Sequence, residues 1–355
     1  MNGERPGAAF DVVAVALAML LAVIVTISGA RTGYRSADAD ELVYRQTLLA
    51  MRSGEGVYPA QRDALIRKEH HPPTSVRAIR PPVEYLALRL FPPGSWRWLV
   101  GVVYLVDLLL SWRLARIFGG PAGAAGVVLA GVWLIGFSPY LFLHAEVWGL
   151  PFFLGSLINI RHHRTGLAVT LLVLAASIRE LYAVGLLVGL MTASAPLCFS
   201  AVRVPAREAF RRSVPWVAGI AVVSALFGLH ALLAAPVLAR HGYEARLGNE
   251  ERSWSFVFRA LAPWVSTSGE AFGAIVTLLG VWGAVRVARR DPAALVGGAT
   301  AVVLLGAAQW ATRVYWSAAW AIPISVFAPA VFSRRALLPP VGVEPRGQGT
   351  PATTR

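Results

Sequence analysis

Ten long apolar runs, separated by short segments that carry arginine, constrain this chain more than any other feature. They fall at about 9–29, 98–115, 119–137, 140–159, 165–179, 181–200, 214–235, 270–288, 294–312 and 315–333. A helix needs roughly 20 apolar residues to cross a bilayer core. Sustained period-2 alternation is absent, which argues against a transmembrane barrel. Charged residues make up 15% of the chain, against about 25% in soluble domains. The expectation is an all-α polytopic membrane protein with about ten transmembrane helices. The runs at 165–179 and 181–200 meet at Arg179-Glu180, so they read either as two spans or as one bent helix.

The remaining composition narrows the function classes. Cys198 is the only cysteine, so there is no disulfide framework and no cysteine metal site. A net charge of +14 can signal nucleic acid, but no nucleic-acid module is present. In a membrane protein it reflects arginines facing anionic lipid. The first run is too long for a signal-peptide core and lacks a small-residue cleavage site, so it reads as a retained span. With the N-terminus inside, Arg113/Arg116, Arg161/Arg164, Arg203/Arg207/Arg211/Arg212, Arg286/Arg289/Arg290 and Arg334/Arg335 all face the cytoplasm. Residues 31–97 then form a long extracytoplasmic loop, which crosses largely regardless of its charge. Residues 1–335 read as one transmembrane domain. Residues 336–355, rich in Pro, Gly and Thr, read as a disordered cytoplasmic tail.

This topology puts thirteen of the nineteen acidic residues outside, and the densest cluster is Asp38, Asp40 and Glu41. The first half of residues 38–58 reads as a short amphipathic helix with Leu42, Val43, Leu49 and Ala50 on one face. Asp38 and Glu41 are suited to a capping box. Gly54 and Gly56 break the helix, and Tyr58-Pro59 starts an extended segment. A second amphipathic piece follows near 83–91. Glu146 and Glu180 are buried in apolar helix starts, where an ionisable group marks a functional candidate. Asp107 is the acid deepest in a span, with structural and functional roles both open.

Other polar residues gather on the same membrane side: His70 and His71; Tyr140, His144 and Glu146; Arg179, Glu180 and Tyr182; Arg240, His241, Arg246, Arg252 and Arg259; and Arg313 with Tyr315. Carboxylates facing arginines at the water–lipid boundary suit transfer from a lipid phosphate. A carboxylate takes the proton of the incoming hydroxyl, and guanidinium groups hold the leaving phosphate. Plainer readings stand beside this one. Arg179-Glu180 is equally a simple ion pair, and Arg252 and Arg259 are equally interfacial anchors. His70-His71 has no third metal ligand at helpful spacing, and no metal site is expected.

The segment from Asp40 to Tyr58 resembles the first outer loop of GT-C membrane glycosyltransferases, most closely the bacterial group that uses polyprenyl-phosphate-mannose. The shared features are Asp40, Tyr44 four residues on, the apolar Leu48–Met51 stretch, Gly54/Gly56, Tyr58, and the later Arg80-Pro81-Pro82-Val83-Glu84-Tyr85 segment. The match covers about 55 residues, and hydropathy alone extends it further. The resemblance implies a GT-C-like bundle with juxtamembrane helices in the first outer loop. It also implies an extracytoplasmic site in a bacterial plasma membrane, and inverting transfer without a cofactor. Asp40 would be the general base, with Asp38 and Glu41 shaping its charge. Tyr44, Tyr58, His70, His144, Glu146, Arg179, Glu180, Tyr182, Arg252 and Arg313 would contact substrate. The partners would be a polyprenyl-phosphate sugar donor, a glycan or glycolipid acceptor and membrane lipid. The sequence departs from the group at His144-Ala145-Glu146-Val147-Trp148, where a Gly-Gln-type helix start is expected, and at Arg179-Glu180-Leu181-Tyr182. Mannose therefore stands first among several sugars. Two other classes remain: a transporter or lipid flippase, and a non-catalytic partner of a cell-wall synthase.

Overall fold

The computed structural model describes residues 8–32, 39–69, 73, 79–141, 145–198, 205–238, 270–288, 291–311 and 326–332. Every regular element among the described residues is helical, and no strand occurs among them. The helices are α1 (Ala8–Thr32), α2 (Ala39–Arg52), α3 (Val57–Glu69), α4 (Val83–Leu88), α5 (Trp96–Gly119), α6 (Ala124–Leu141) and α7 (Ala145–Arg161). They continue with α8 (Thr165–Ile178), α9 (Ala183–Cys198), α10 (Ala206–Ala234), α11 (Glu270–Ala288) and α12 (Pro292–Ala311). The long helices follow the apolar runs. The 165–200 region forms two helices: α8 ends at Arg179, whose backbone is extended, and a 3-10 turn at Glu180–Tyr182 leads into α9. Of the run at 315–333 only residues 326–332 are described, as a helical turn passing into the 3-10 segment Ala328–Phe332.

Contacts at the helix ends sort the bundle into two poles. Asp11 at the start of α1 pairs with Arg116 at the end of α5. Arg161 at the end of α7 pairs with Asp291, just before α12, at 2.6 Å. Arg286 near the end of α11 donates to the carbonyl of Val331. At the other pole the start of α7 meets the α8–α9 turn, and the end of α10 meets the segment carrying α3. Consecutive long helices therefore run antiparallel. α7 lies centrally, packed against α5, α8 and α12.

The interior is filled by small, aliphatic and aromatic side chains in one main core, with a smaller cluster of Val43, Ala64, Leu65, Ile79 and Ala234 beside it, while the outside of the bundle is apolar too. Val12, Val13, Met19 and Leu20 of α1, Met191 of α9, Leu229 and Leu232 of α10, and Leu278 and Trp282 of α11 are all exposed. Among the described residues, two helical segments are by length and composition long and apolar enough to cross a membrane, Pro93–Gly119 and Ala206–Val237.

Two expectations for the first loop need correction. The buried face of α2 is Val43, Tyr44, Thr47, Leu48 and Met51, while Leu42 and Leu49 are exposed. Tyr44 and Thr47 are drawn inward beside Val43, Leu48 and Met51 because α2 meets both α3 and α4, and Leu42 and Leu49 face out. Tyr58-Pro59 does not start an extended segment: both lie in the first turn of α3. A proline is tolerated there because first-turn N–H groups have no helical partner. Gly54 does separate α2 from α3, with φ of +104°, a conformation that favours glycine.

Candidate functional site

The site forms where the first-loop helices cap one pole of the bundle. α2 and α4 are held to each other and to α5 by polar ties to main-chain carbonyls. Arg52 donates to the carbonyl of Phe91 at 2.8 Å, and the indole N–H of Trp96 donates to those of Leu88 and Phe91. This brings the ring of Tyr44 onto that of Tyr85, stacked with centroids 5.4 Å apart and planes 14° apart. Arg80 is set by the Gln61 side-chain amide of α3. Gln61 accepts from the Arg80 backbone N–H at 2.7 Å and donates to its carbonyl at 3.1 Å. One glutamine thus closes both main-chain valences of the residue and fixes where its guanidinium begins.

The bundle contributes the other half. Glu146 lies in the first turn of α7 and Arg179 in the extended link after α8, and both are almost fully buried at 2.7 Å from each other. Arg179 reaches Glu180 at 2.9 Å, and Arg80 reaches the same Glu180 oxygen at 3.9 Å. The Tyr182 hydroxyl donates to the main-chain carbonyl of Glu146 at 2.7 Å, tying the α8–α9 turn to α7. Gly149 makes this possible: a Cβ there would sit 2.5 Å from the Tyr182 ring. Glu180 is only partly buried and does not start a regular α-helix as the sequence suggested. It lies in the 3-10 turn with its side chain 38% exposed, because the chain must unwind there to reverse direction.

Glu84 of α4 completes the cluster. It is buried, and neither carboxylate oxygen has a hydrogen-bond partner. Burial pushes its pKa well above the usual carboxylate range, the nearby Glu146 pushes it further, and Arg80 and Arg179 pull only partly back. Burial also raises the Tyr44 phenol, with Arg80 and Arg179 opposing and Glu84 and Glu146 adding to the rise. Burial alone would raise Glu180, but Arg179 and Arg80 outweigh it and hold that carboxyl below its ordinary value. Two guanidinium groups, three carboxyl groups and two stacked phenols thus converge on one pole. The chemistry on offer is anion binding by arginine beside carboxyl groups whose pKa values are pushed in opposite directions, Glu84 up and Glu180 down.

Of the substrate-contact residues expected from sequence, Tyr44, Glu146, Arg179, Glu180 and Tyr182 come together here. Tyr58 stands to one side. Its hydroxyl lies 3.2 Å from Nδ1 of His230, whose Nε2 lies 3.2 Å from the Ile79 carbonyl. A carbonyl only accepts, so Nε2 donates to it, and in the neutral ring Nδ1 accepts from Tyr58. Asp40 and Glu41 stand in the first turn of α2, with Asp40 one turn before Tyr44; their side chains fall outside the described part. Asp38, His70, His71, His144, Arg240, His241, Arg246, Arg252, Arg259, Arg313 and Tyr315 lie outside the described residues, as do residues 336–355. Sequence reasoning missed Arg80, Glu84 and Tyr85 as site residues. The available signal was two charges flanking Pro81-Pro82 in a segment otherwise built to pack. Among the described residues no group of His, Cys, Asp and Glu could hold a metal ion. Comparison with known proteins found no matching family model, curated protein or solved structure.

Proposed function

We propose that this chain is a polytopic membrane glycosyltransferase of the GT-C kind. It would move one sugar, mannose first, from a polyprenyl phosphate to a lipid-linked or cell-envelope glycan on the extracytoplasmic face. The observation that carries the reading is the convergence of Arg80, Arg179, Glu84, Glu146, Glu180 and Tyr44 at the pole capped by the first-loop helices. In this reading the guanidinium groups hold the donor phosphate and stabilise its charge as the glycosidic bond breaks. Asp40, in the first turn of α2, takes the proton of the acceptor hydroxyl.

The membrane setting rests on the apolar exterior. Soluble monomers rarely expose contiguous apolar patches beyond a few hundred Å², whereas several long helices here turn large aliphatic side chains outwards. The second pole carries Arg116, Arg161, Arg164, Arg207, Arg211, Arg212 and Arg286, which supports placing it in the cytoplasm. Exposed Leu42, Leu49, Leu86, Leu90 and Phe91 on and beside α2 and α4 suit helices lying at the headgroup level. A polyprenyl tail would then stay in the bilayer while its phosphate reaches the arginines.

The deciding experiment measures transfer from labelled polyprenyl-phosphate-mannose, and from the glucose, galactose and arabinofuranose analogues, by purified wild type and Asp40→Asn. Wild-type transfer with a loss of about 10²-fold or more in the variant is expected for a missing general base. Unchanged turnover would remove Asp40 from the role. A second reading, a transporter, is favoured by one observation: Asp107, midway along α5, is fully buried with neither oxygen hydrogen-bonded. Flux in proteoliposomes without product formation would select it.

A further inference from the structure

We propose that Glu84, as a neutral carboxylic acid, donates a hydrogen bond to the donor phosphate between Arg80 and Arg179, and that loss of its proton closes this subsite to the anion. The inference rests on the functional reading above and adds a protonation gate to it. Three features of the cluster carry it. The first is geometric. Glu84 is 3% exposed and makes no hydrogen bond through either oxygen, so its hydrogen-bonding capacity is unspent within the folded chain. A buried polar group in that condition calls for a partner.

The second feature is charge. Arg80 and Arg179 are offset by Glu146 and Glu180, two positive groups against two negative. Among the described side chains of the cluster, Glu84 therefore decides the sign of the charge around the two guanidinium groups. With its proton, the cluster is balanced and presents an O–H donor beside two guanidinium groups. Without it, the cluster carries a surplus negative charge that repels a phosphate. The groups that act on Glu84 are Arg80 from the segment before α4, Glu146 from α7 and Arg179 after α8, and from α2 it acts on Tyr44. Burial and Glu146 favour the protonated form. The third feature is access: Glu180 and Arg80 are the partly exposed members, so an anion would enter past them while Glu84, Glu146 and Arg179 form the floor. Such a balanced site suits a phosphodiester with one negative charge better than a diphosphate.

The test is equilibrium binding of a short-chain polyprenyl phosphomannose to the full chain in lipid nanodiscs from pH 5 to 9. Its phosphodiester keeps a single negative charge over that range. Wild-type affinity should fall about ten-fold for each pH unit above the point where Glu84 ionises, and Glu84→Gln, which stays neutral, should bind with no such slope. A parallel slope in wild type and Glu84→Gln overturns the gate and leaves the donor reading standing. Absence of binding by wild type at every pH overturns the donor reading itself, and the gate with it. Where Glu84→Gln does not fold, difference infrared spectra of the wild type decide. A protonated carboxyl band that shifts on phosphomannose addition supports the gate, and a band that ligand leaves unmoved refutes it.

Discussion

The Arg179–Glu146 pair shows what a single residue does at this pole. Both side chains are out of water, and a buried charge is tolerated only with its counter-charge. Arg179→Leu leaves Glu146 exposed to an apolar surround, and thermal unfolding in detergent should show a loss of about 3–5 kcal/mol. Replacing both residues by methionine should recover much of that stability, since a buried pair is often no better than well-packed apolar side chains. It should not recover donor binding, and a double variant that still bound donor would remove Arg179 from the site. Glu84 sets a pH dependence of stability. Its folded-state pKa is raised, so the folded chain binds a proton that the unfolded chain has released. Stability should therefore fall as pH rises above the ordinary carboxylate range, and Glu84→Gln should flatten that decline. Denaturation midpoints across pH 4–8 would read it.

At the scale of elements, the site depends on small features that hold one helix against another. Gln61 of α3 closes two hydrogen bonds on the backbone of Arg80. Gln61→Ala should cost about 1–3 kcal/mol, and it should weaken donor binding more than it slows turnover, because Arg80 loses its mooring and not its charge. Gly149 gives Tyr182 room to reach the Glu146 carbonyl. Gly149→Ala should force the α8–α9 turn away from α7, at about 1–3 kcal/mol for overpacking. A variant as stable as wild type, with the Tyr182 hydrogen bond intact, would show that the turn is held some other way. The same scale explains the misassigned face of α2. Spacing alone placed Leu42 and Leu49 with Val43 on the inner face. The stacked Tyr44–Tyr85 pair and the buried Thr47 show that α2 is rotated to meet α4.

Across the whole molecule, the proposed orientation makes a prediction independent of any chemistry. Cys198→Ser removes the single thiol. A cysteine then placed at the exposed Glu55 should react with membrane-impermeant reagents on intact cells. One placed at Arg164, exposed at the α7–α8 connection at the opposite pole, should react only after permeabilisation. The reverse pattern would put the carboxylate–arginine pole in the cytosol and end the extracytoplasmic reading. The helices among the described residues were legible from sequence because the apolar runs are long and continuous, too long for strands and without period-2 alternation. The break at Arg179 was legible only as an alternative. A pair of charges signals either a kink or a turn, and the packing of Tyr182 on α7 decides between them.

Sequence by itself determined the all-helical class, the positions of the long helices and the residues at which charge enters an apolar surround. These follow from local chemistry: hydropathy over about 20 residues, helix-breaking glycine, and the scarcity of acids inside apolar runs. Tertiary structure alone decided which charges meet. Glu146 and Arg179 are 33 positions apart in the chain, yet 2.7 Å apart in space, and Arg80 and Glu84 join them only because α3 and α4 fold back over that pole. Burial removes the solvent that would otherwise screen these groups from one another, so their partners, and which of them keeps its proton, are properties of the packed bundle.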